Sequence, residues 1–163
     1  MKIHYTLTDS PLGQLLVAAT PRGLCLCTLA KSDPVKLLHK KYPKDDIERD
    51  DACMRPYVQP LLRHLLGEQH DLDVPLDVKG SDFEKRVWRE LRAIPYGSTR
   101  SYQDVARRIN RPRAYRAVGH ACATNPVAVV VPCHRVIRSD GGLGGFGWGL
   151  KVKEKLLAQE QGV

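Results

Sequence analysis

"SYQDVARRINRPRAYRAVGHACAT", residues 101–124, decides how the second half of this chain is built. Two helical runs, "SYQDVARRI" (101–109) and "RAYRAVGHACAT" (113–124), flank the turn "NRP" (110–112). Helix, short turn, helix in a strongly basic setting is the outline of a helix-turn-helix. The second helix is poor in long side chains, because Ala114, Ala117, Gly119, Ala121, Cys122 and Ala123 leave little to reach base edges. Such a surface suits a shallow approach to a minor groove, where width and backbone matter more than hydrogen-bond readout. The alternative reading of the same residues is tight packing of the helix against its own core.

Upstream, Ser81 is an N-cap candidate for "DFEKRVWRELRAI" (82–94), in which Phe83, Val87, Leu91 and Ile94 form an apolar stripe. "PYGS" ends that helix. The first thirty residues read instead as strands: "KIHYTLT", "GQLLVAAT", a turn at "PRG", and "LCLCTLA", an antiparallel meander. Helical spacing follows in "DPVKLLHKKYP" and "MRPYVQPLLRHLLG", separated by the acidic stretch "DDIERDDA", expected as an exposed loop. "LDVPLDVKG" (72–80) returns to alternation, with Pro75 confining it to a sheet edge. Charge and periodicity both change near residue 80. Residues 1–80 hold 11 Lys+Arg and 11 Asp+Glu; residues 81–163 hold 15 and 7, the whole net charge of +8. Two domains follow, 1–80 and 81–163, in a mixed α/β (α+β) chain whose basic half is suited to a polyanion.

Composition narrows the class further. A chain of 163 residues, 42% of them hydrophobic, builds one substantial core or two modest ones. No stretch reaches the roughly 20 apolar residues of a membrane span, and "MKIHYTLTDS" lacks the apolar centre of a signal peptide. A cytoplasmic address is the expectation, or a nuclear one in a cell with a nucleus, with no membrane partner. Cys25, Cys27, Cys53, Cys122 and Cys133 are odd in number and not spaced as a disulfide framework, so reduced thiols are expected. Cys25 and Cys27 alternate with leucines and should share one strand face. No second ligand pair lies at zinc-finger spacing, so no metal is expected.

The chemistry concentrates in "VVVPCHRV" (129–136), which reads as a buried strand broken at Pro132. Burial raises a thiol above its reference of about 8.5 and leaves it inert. Cys133 therefore needs activation. His134 cannot supply it by adjacency on a strand, since consecutive side chains point to opposite faces. On the C-terminal helix "KVKEKLLAQE", about 100° per residue places Glu160 inside the apolar arc of Val152, Leu156 and Leu157, with Lys153 also leaning inward. A carboxylate there needs a partner, and a buried imidazole such as His134 is one; a frayed last turn in solvent is the other reading. An ammonium near the thiol would favour thiolate. Between these elements "SDGGLGGFGWGLK" carries six glycines from Gly141 to Gly149, with Phe146 and Trp148. Backbone N–H groups there can approach a ligand closely, yet no Walker lysine and serine follow.

Together, "SYQDVA", "RAVGHACATNP", "VPCHRVIRSDG", "GFGWGL" and "KEKLLAQE" resemble the O6-alkylguanine-DNA alkyltransferases, also called methylated-DNA-protein-cysteine methyltransferases, in order and spacing. The resemblance spans residues 81–160 and is weaker before them. It implies a ribonuclease-H-like N-terminal sheet with helix, and a C-terminal winged-helix-like helix-turn-helix domain carrying the active site. It implies direct reversal of DNA damage: an alkyl group passes irreversibly from O6 of guanine to Cys133, once per molecule. His134 would take the thiol proton through a water, with Glu160 orienting the imidazole. Tyr102 would donate toward guanine N3. Arg116 would enter the stack and fill the hole left by the flipped nucleotide. Asn125 would be the hinge between recognition helix and active-site strand. Ala117, Ala121 and Arg113 would join Tyr102, Arg116 and Asn125 at the DNA, while Val136, Phe146, Gly147, Trp148 and Lys153 would form the base pocket. No cofactor is implied. The implied partner is double-stranded DNA containing O6-alkylguanine; whether O4-alkylthymine is also accepted is open in the sequence, and the protein should be a monomer.

Two positions depart from the pattern. Some members have tyrosine and serine where this chain has Phe146 and Gly147, which leaves a backbone contact to O6 intact but changes the pocket's width. The zinc site of some members has no matching N-terminal cysteines here. Three other readings stay in view: a lesion-binding relative, against which Cys133 argues; a thiol hydrolase, which would need an oxyanion hole; and a redox regulator, for which Cys122 is the candidate resolving thiol.

Overall fold

The computed structural model describes residues 1–31 and 33–162; Val163, the end of the second expected domain, lies outside them. The chain forms two compact units, Met1–Lys79 and Gly80–Val163. In the first, β1 (Lys2–Thr8), β2 (Leu15–Thr20) and β3 (Gly23–Leu29) make the antiparallel meander. A fourth strand, β4 (Asp46–Arg49), pairs parallel to β1, from Lys2 opposite Asp46 to Tyr5 opposite Arg49. The sheet order is β3-β2-β1-β4, so the sheet is mixed and not antiparallel throughout. "DDIERDDA" is therefore β4 and the start of a helix, not a loop. Its acidity misled because an edge strand can carry charge at nearly every position; of β4 only Ile47 packs on the core cluster.

β2 is buried at all six positions, which is why it reads as an unbroken apolar run. Helix α1 (Pro34–Lys41) is capped by Asp33, whose side chain accepts from Lys36 N–H, with Pro34 in the first turn. Leu38 of α1 packs with Ile3, Leu16, Ala18, Leu26 and Tyr42 on one sheet face. Helix α2 (Asp51–Leu65) starts three residues before the stretch its periodicity predicts, because Asp50 caps it through Cys53 N–H. It packs on β1 and β2 and buries Met54, Leu61 and Leu65. A register shift between Ala18 and Ala19 opens a bulge opposite Cys25. Cys25 joins the cluster with Leu26 and Tyr42, whereas Cys27, paired with Val17, lies outside it. The two thiols do not share a face, contrary to simple alternation, and cannot converge on one ion. "LDVPLDVKG" is not a full strand either. It makes one bridge, Leu76 to Leu24, in which Leu24 N–H donates to Pro75 O at 2.8 Å and Asp77 N–H to Leu24 O at 2.9 Å.

The second unit begins with α3 (Asp82–Arg92), entered through a capping box in which Ser81 and Glu84 satisfy each other's backbone N–H groups. Val87, Trp88, Leu91 and Ile94 are buried. The Trp88 indole N–H donates to Ala121 O at 2.8 Å and ties α3 to the second helix of the helix-turn-helix. That motif is α4 (Tyr102–Arg108), capped by Ser101 and Asp104, and α5 (Tyr115–Ala123). Asn110 makes the turn at φ 60°, a conformation asparagine tolerates better than most residues. β5 (Arg100–Ser101) pairs parallel with β6 (Val136–Ile137), and α6 (Leu150–Glu160) completes the unit. Among the described residues no helix is long and apolar enough to cross a membrane.

The expected strand at 129–131 is absent. Val127 through Val131 are buried, but Val131 N–H turns back to Val127 O at 2.9 Å and Val129 adopts φ 75°. Cys133–Arg135 then form a 3₁₀ turn. An apolar run without periodicity marks burial, not strand geometry. A β-branched residue at positive φ is strained, so its surroundings must hold it there.

Candidate active site

Asn125 holds that strained turn. Its side-chain oxygen accepts from Val127 N–H at 3.0 Å and its amide donates to Val131 O at 2.8 Å, spanning the loop from both ends. The same amide donates to Cys133 Sγ at 3.3 Å. The loop that the valines bury is thus latched to the thiol. Cys133 is 5% exposed and lies in the wall of a cavity of about 470 Å³ shared by Tyr102, Gly119, Cys122, Ala123, Gly145, Phe146 and Gly147. Burial pushes its pKa up; the Asn125 hydrogen bond and the Lys153 charge pull it back. At rest it is a thiol, and reaction requires a base.

His134 Nε2 lies 2.6 Å from Glu160 Oε2, and Arg135 grips the same carboxylate, Nε to Oε1 at 2.7 Å and Nη2 to Oε2 at 3.1 Å. Arg135 Nη1 donates to Ile94 O at 2.8 Å, anchoring the fork to the segment that follows α3. Burial alone would raise the Glu160 pKa, but the hydrogen bonds from His134 and Arg135 win and hold it at about 2. An ionised carboxylate only accepts, so His134 Nε2 must carry a proton. Burial meanwhile depresses the His134 pKa, and the Glu160 contact opposes this only in part. The imidazole is neutral, Nε2–H, with a lone pair on Nδ1. Nδ1 is buried and has no hydrogen-bond partner among the described residues. A neutral imidazole whose second ring nitrogen carries a free lone pair is able to accept a proton.

Lys153 is fully buried. Its ammonium donates to Val136 O at 2.6 Å, Leu143 O at 2.5 Å and Gly145 O at 3.2 Å, so three donors meet three carbonyls. It staples the glycine-rich loop to β6. Across the cavity Tyr102 has its pKa pushed up to about 12, first by burial and then by the neighbouring Cys122 and Cys133. Its hydroxyl keeps its proton at neutral pH and can donate it. Gly144 explains part of the glycine excess: at φ 72° a Cβ would sit 2.6 Å from the Tyr102 hydroxyl oxygen.

The small residues of α5 divide by face. Ala117 and Ala123 are exposed, and Gly119 lies against Tyr102, where a Cβ would be 3.8 Å from the ring. Ala121 is 1% exposed and packs inward beneath Trp88, so it is a core residue and not a nucleic-acid contact. Arg113 and Arg116 are exposed and, like Arg111, make no ion pair among the described residues. Arg107 pairs with Asp104, and Arg100 and Arg108 both reach Glu90. Of the expected pocket residues, Phe146 and Gly147 line the cavity. Val136 and Lys153 do not: both are wholly buried, one in β6 and the other as the staple beneath the loop. Trp148 does not line it either, and instead packs on Phe146 with ring centres 6.0 Å apart. Sequence reasoning missed Arg135 as the second holder of Glu160 and Asn125 as a donor to sulfur. A guanidinium inside a buried run was the available signal for the first.

Comparison with known proteins gives this geometry its relatives. Residues 82–162 match the family model described as 6-O-methylguanine DNA methyltransferase, DNA binding domain, and residues 3–78 match the ribonuclease-like domain of the same methyltransferase. The chain is 40% identical to a methylated-DNA–protein-cysteine methyltransferase of Methanosarcina barkeri, covering 98% of each. It is also 40% identical to the bifunctional transcriptional activator/DNA repair enzyme Ada of Escherichia coli, over 98% of this chain but 46% of Ada, so it spans about half the length of that relative. The crystal structure of the Mycobacterium tuberculosis protein OGT in complex with DNA superposes with a TM-score of 0.82 at 35% identity, covering 99% of this chain and 94% of the other. Its two domains, found in this order over nearly the whole chain, place this protein in the 6-O-methylguanine DNA methyltransferase family.

Proposed function

We propose that this protein repairs DNA by direct reversal, moving an alkyl group, methyl foremost, from O6 of guanine in duplex DNA onto Cys133. The observation that carries the reading is one cavity walled by a thiol, Cys133, and a protonated phenol, Tyr102, with the buried imidazole of His134 next to the thiol in the chain and its Nδ1 unpartnered among the described residues. The family relation and a relative crystallised with DNA support it.

In the proposed reaction His134 Nδ1 takes the Cys133 proton through a water, and the imidazolium is stabilised by Glu160, itself held by Arg135. Asn125 and Lys153 stabilise the thiolate. Sulfur attacks the alkyl carbon; the S–C bond forms as the C–O6 bond breaks, and the electron pair goes to the purine. Tyr102 donates toward N3 while that charge develops, and a proton returned to the base lets guanine leave neutral. A thioether's sulfur is a poor leaving group, and Cys122, the other thiol on the cavity, is held protonated by burial. Each molecule reacts once.

The base must leave the duplex first, at a cost of a few kcal/mol. Arg116, exposed on α5 beside the small Ala117, is the residue to fill the vacated stack, and Arg111 and Arg113 offer phosphate contacts. Small side chains along this face let the helix lie close to a minor groove. Substrates carrying O4-alkylthymine fit the same chemistry, and the protein acts as a monomer in the cytoplasm or nucleus.

Intact-mass measurement after mixing with O6-methylguanine duplex tests the reading. One added methyl group is expected on the wild type and none on Cys133→Ser, which should still bind the lesion. Unchanged mass in the wild type, or methylation of Cys133→Ser, would overturn it.

A further inference from the structure

We infer that the first unit carries a divalent transition-metal site of the zinc class, formed by His4, Asp50 and Cys53, with a water or the neighbouring Glu48 as fourth ligand. One ligand atom from each of His4, Asp50 and Cys53 lies within 4.8 Å of the others. Glu48 Oε2 is 4.0 Å from His4 Nε2. The alkyl-transfer machinery uses none of these four residues.

The backbone brings them together. Parallel pairing of β1 with β4 sets His4 directly opposite Glu48. Two residues on, Asp50 N–H donates to Tyr5 O at 3.0 Å, pinning the start of α2 beside β1. Asp50 Oδ1 accepts from Cys53 N–H at 2.9 Å, which fixes its rotamer and leaves Oδ2 to bind elsewhere. The ordering that a binding site normally demands is therefore largely complete before any ion arrives.

The donor set selects the ion. One imidazole, one thiol and carboxylates suit zinc and its borderline neighbours, whereas calcium and magnesium favour oxygen alone. Tetrahedral zinc with bonds of about 2.0–2.3 Å separates its ligand atoms by about 3.3–3.8 Å, so small side-chain rotations close the set. Cys53 is exposed and His4 partly so, which gives an ion a path in. On binding, the metal–sulfur bond replaces the S–H bond and the proton goes to solvent. Glu48 is shared with Lys2, whose ammonium it accepts at 2.5 Å, so a water is the alternative fourth ligand. A bound ion would clip β1, β4 and α2 together. Positions 4, 48, 50 and 53 form no spacing motif, which is why the ligand set is invisible in the sequence.

The test uses the reduced full-length protein and cobalt(II) as probe. One equivalent should produce a thiolate-to-cobalt charge-transfer band with tetrahedral visible bands, bleached by one equivalent of zinc. Cys53→Ser should abolish the thiolate band and His4→Gln should weaken binding at least tenfold, while Cys133→Ser keeps both. Zinc should raise the thermal midpoint of the wild type and of Cys133→Ser, but not of Cys53→Ser. Circular dichroism checks that the variants fold, and methyl transfer by Cys53→Ser should be unchanged. Absence of the band at one equivalent, its survival in Cys53→Ser, or its loss in Cys133→Ser would each overturn the site. None of those results would bear on alkyl transfer.

Discussion

Replacing Glu160 by glutamine keeps the side chain's shape and removes the one feature its three side-chain donors share. His134 Nε2–H, Arg135 Nε–H and Arg135 Nη2–H all point at carboxylate oxygens, at 2.6, 2.7 and 3.1 Å. A carboxamide offers one acceptor oxygen, and its other terminus is a donor. If that NH₂ faces Arg135, donor meets donor and a guanidinium with 7% side-chain exposure loses its counter-charge. Breaking a buried pair in this way costs about 3–5 kcal/mol. If it faces His134, the imidazole must switch tautomer, placing the proton on Nδ1 and ending its service as base. The equivalent tautomer error in a serine protease triad costs about four orders of magnitude in rate. Glu160→Gln should therefore lower the single-turnover rate of methyl transfer by about 10² to 10⁴, followed by intact mass against time. It should also lower stability to urea by about 3 kcal/mol. The stability deficit has a pH signature. The carboxyl titrates near 4.5 in ordinary surroundings and at about 2 in the fold, so its contribution is full above pH 4.5. As pH falls toward 2 the unfolded chain takes up the proton first, and the deficit of Glu160→Gln should shrink to nothing. A folded Glu160→Gln protein that transfers methyl at the wild-type rate would refute the tautomer argument.

Arg116→Ala should depress repair of duplex DNA far more than alkyl transfer from free O6-alkylguanine, since only the duplex needs its stack filled; equal losses would reject that role. Gly144→Ala places a Cβ 2.6 Å from the Tyr102 hydroxyl at φ 72°, so denaturant melts should show a loss of about 1–3 kcal/mol together with slower transfer. Lys153→Met leaves three carbonyls without their donor; hydrogen bonds to charged groups are worth about 1.5–3 kcal/mol each. Proteolysis within residues 141–149 should accelerate and the urea midpoint should fall, and an unchanged midpoint would show that the staple is dispensable.

Some features depend only on residue order, because they rest on short-range rules. The caps at Asp33, Ser81 and the helix-turn-helix spacing around "NRP" follow from local hydrogen bonding and from where the apolar stripe stops. The charge imbalance between halves is a property of composition. Glu160 announced itself by standing in an apolar arc, since a carboxylate there is tolerated only with a partner. The resemblance carried by "VPCHRV" singled out Cys133 as the proposed acceptor thiol.

What the tertiary structure decided are matters of which distant groups meet. β4 was hidden because its stability comes from pairing with β1 and not from its own side chains. The valine run proved to be a strained turn, since burial of an apolar segment is compatible with several backbone paths and only Asn125, latched at both ends, selects this one. Ala121 could face a groove or the core with equal local propriety, and Trp88, 33 residues earlier, settled it. Arg135 joined His134 on one carboxylate only because a 3₁₀ turn replaced the expected strand and brought neighbouring side chains toward the same helix end. Local sequence dictates where helices begin and which faces are apolar; the partner of each buried polar group is fixed by the closing of the chain, where an unmatched donor or charge is too costly to remain.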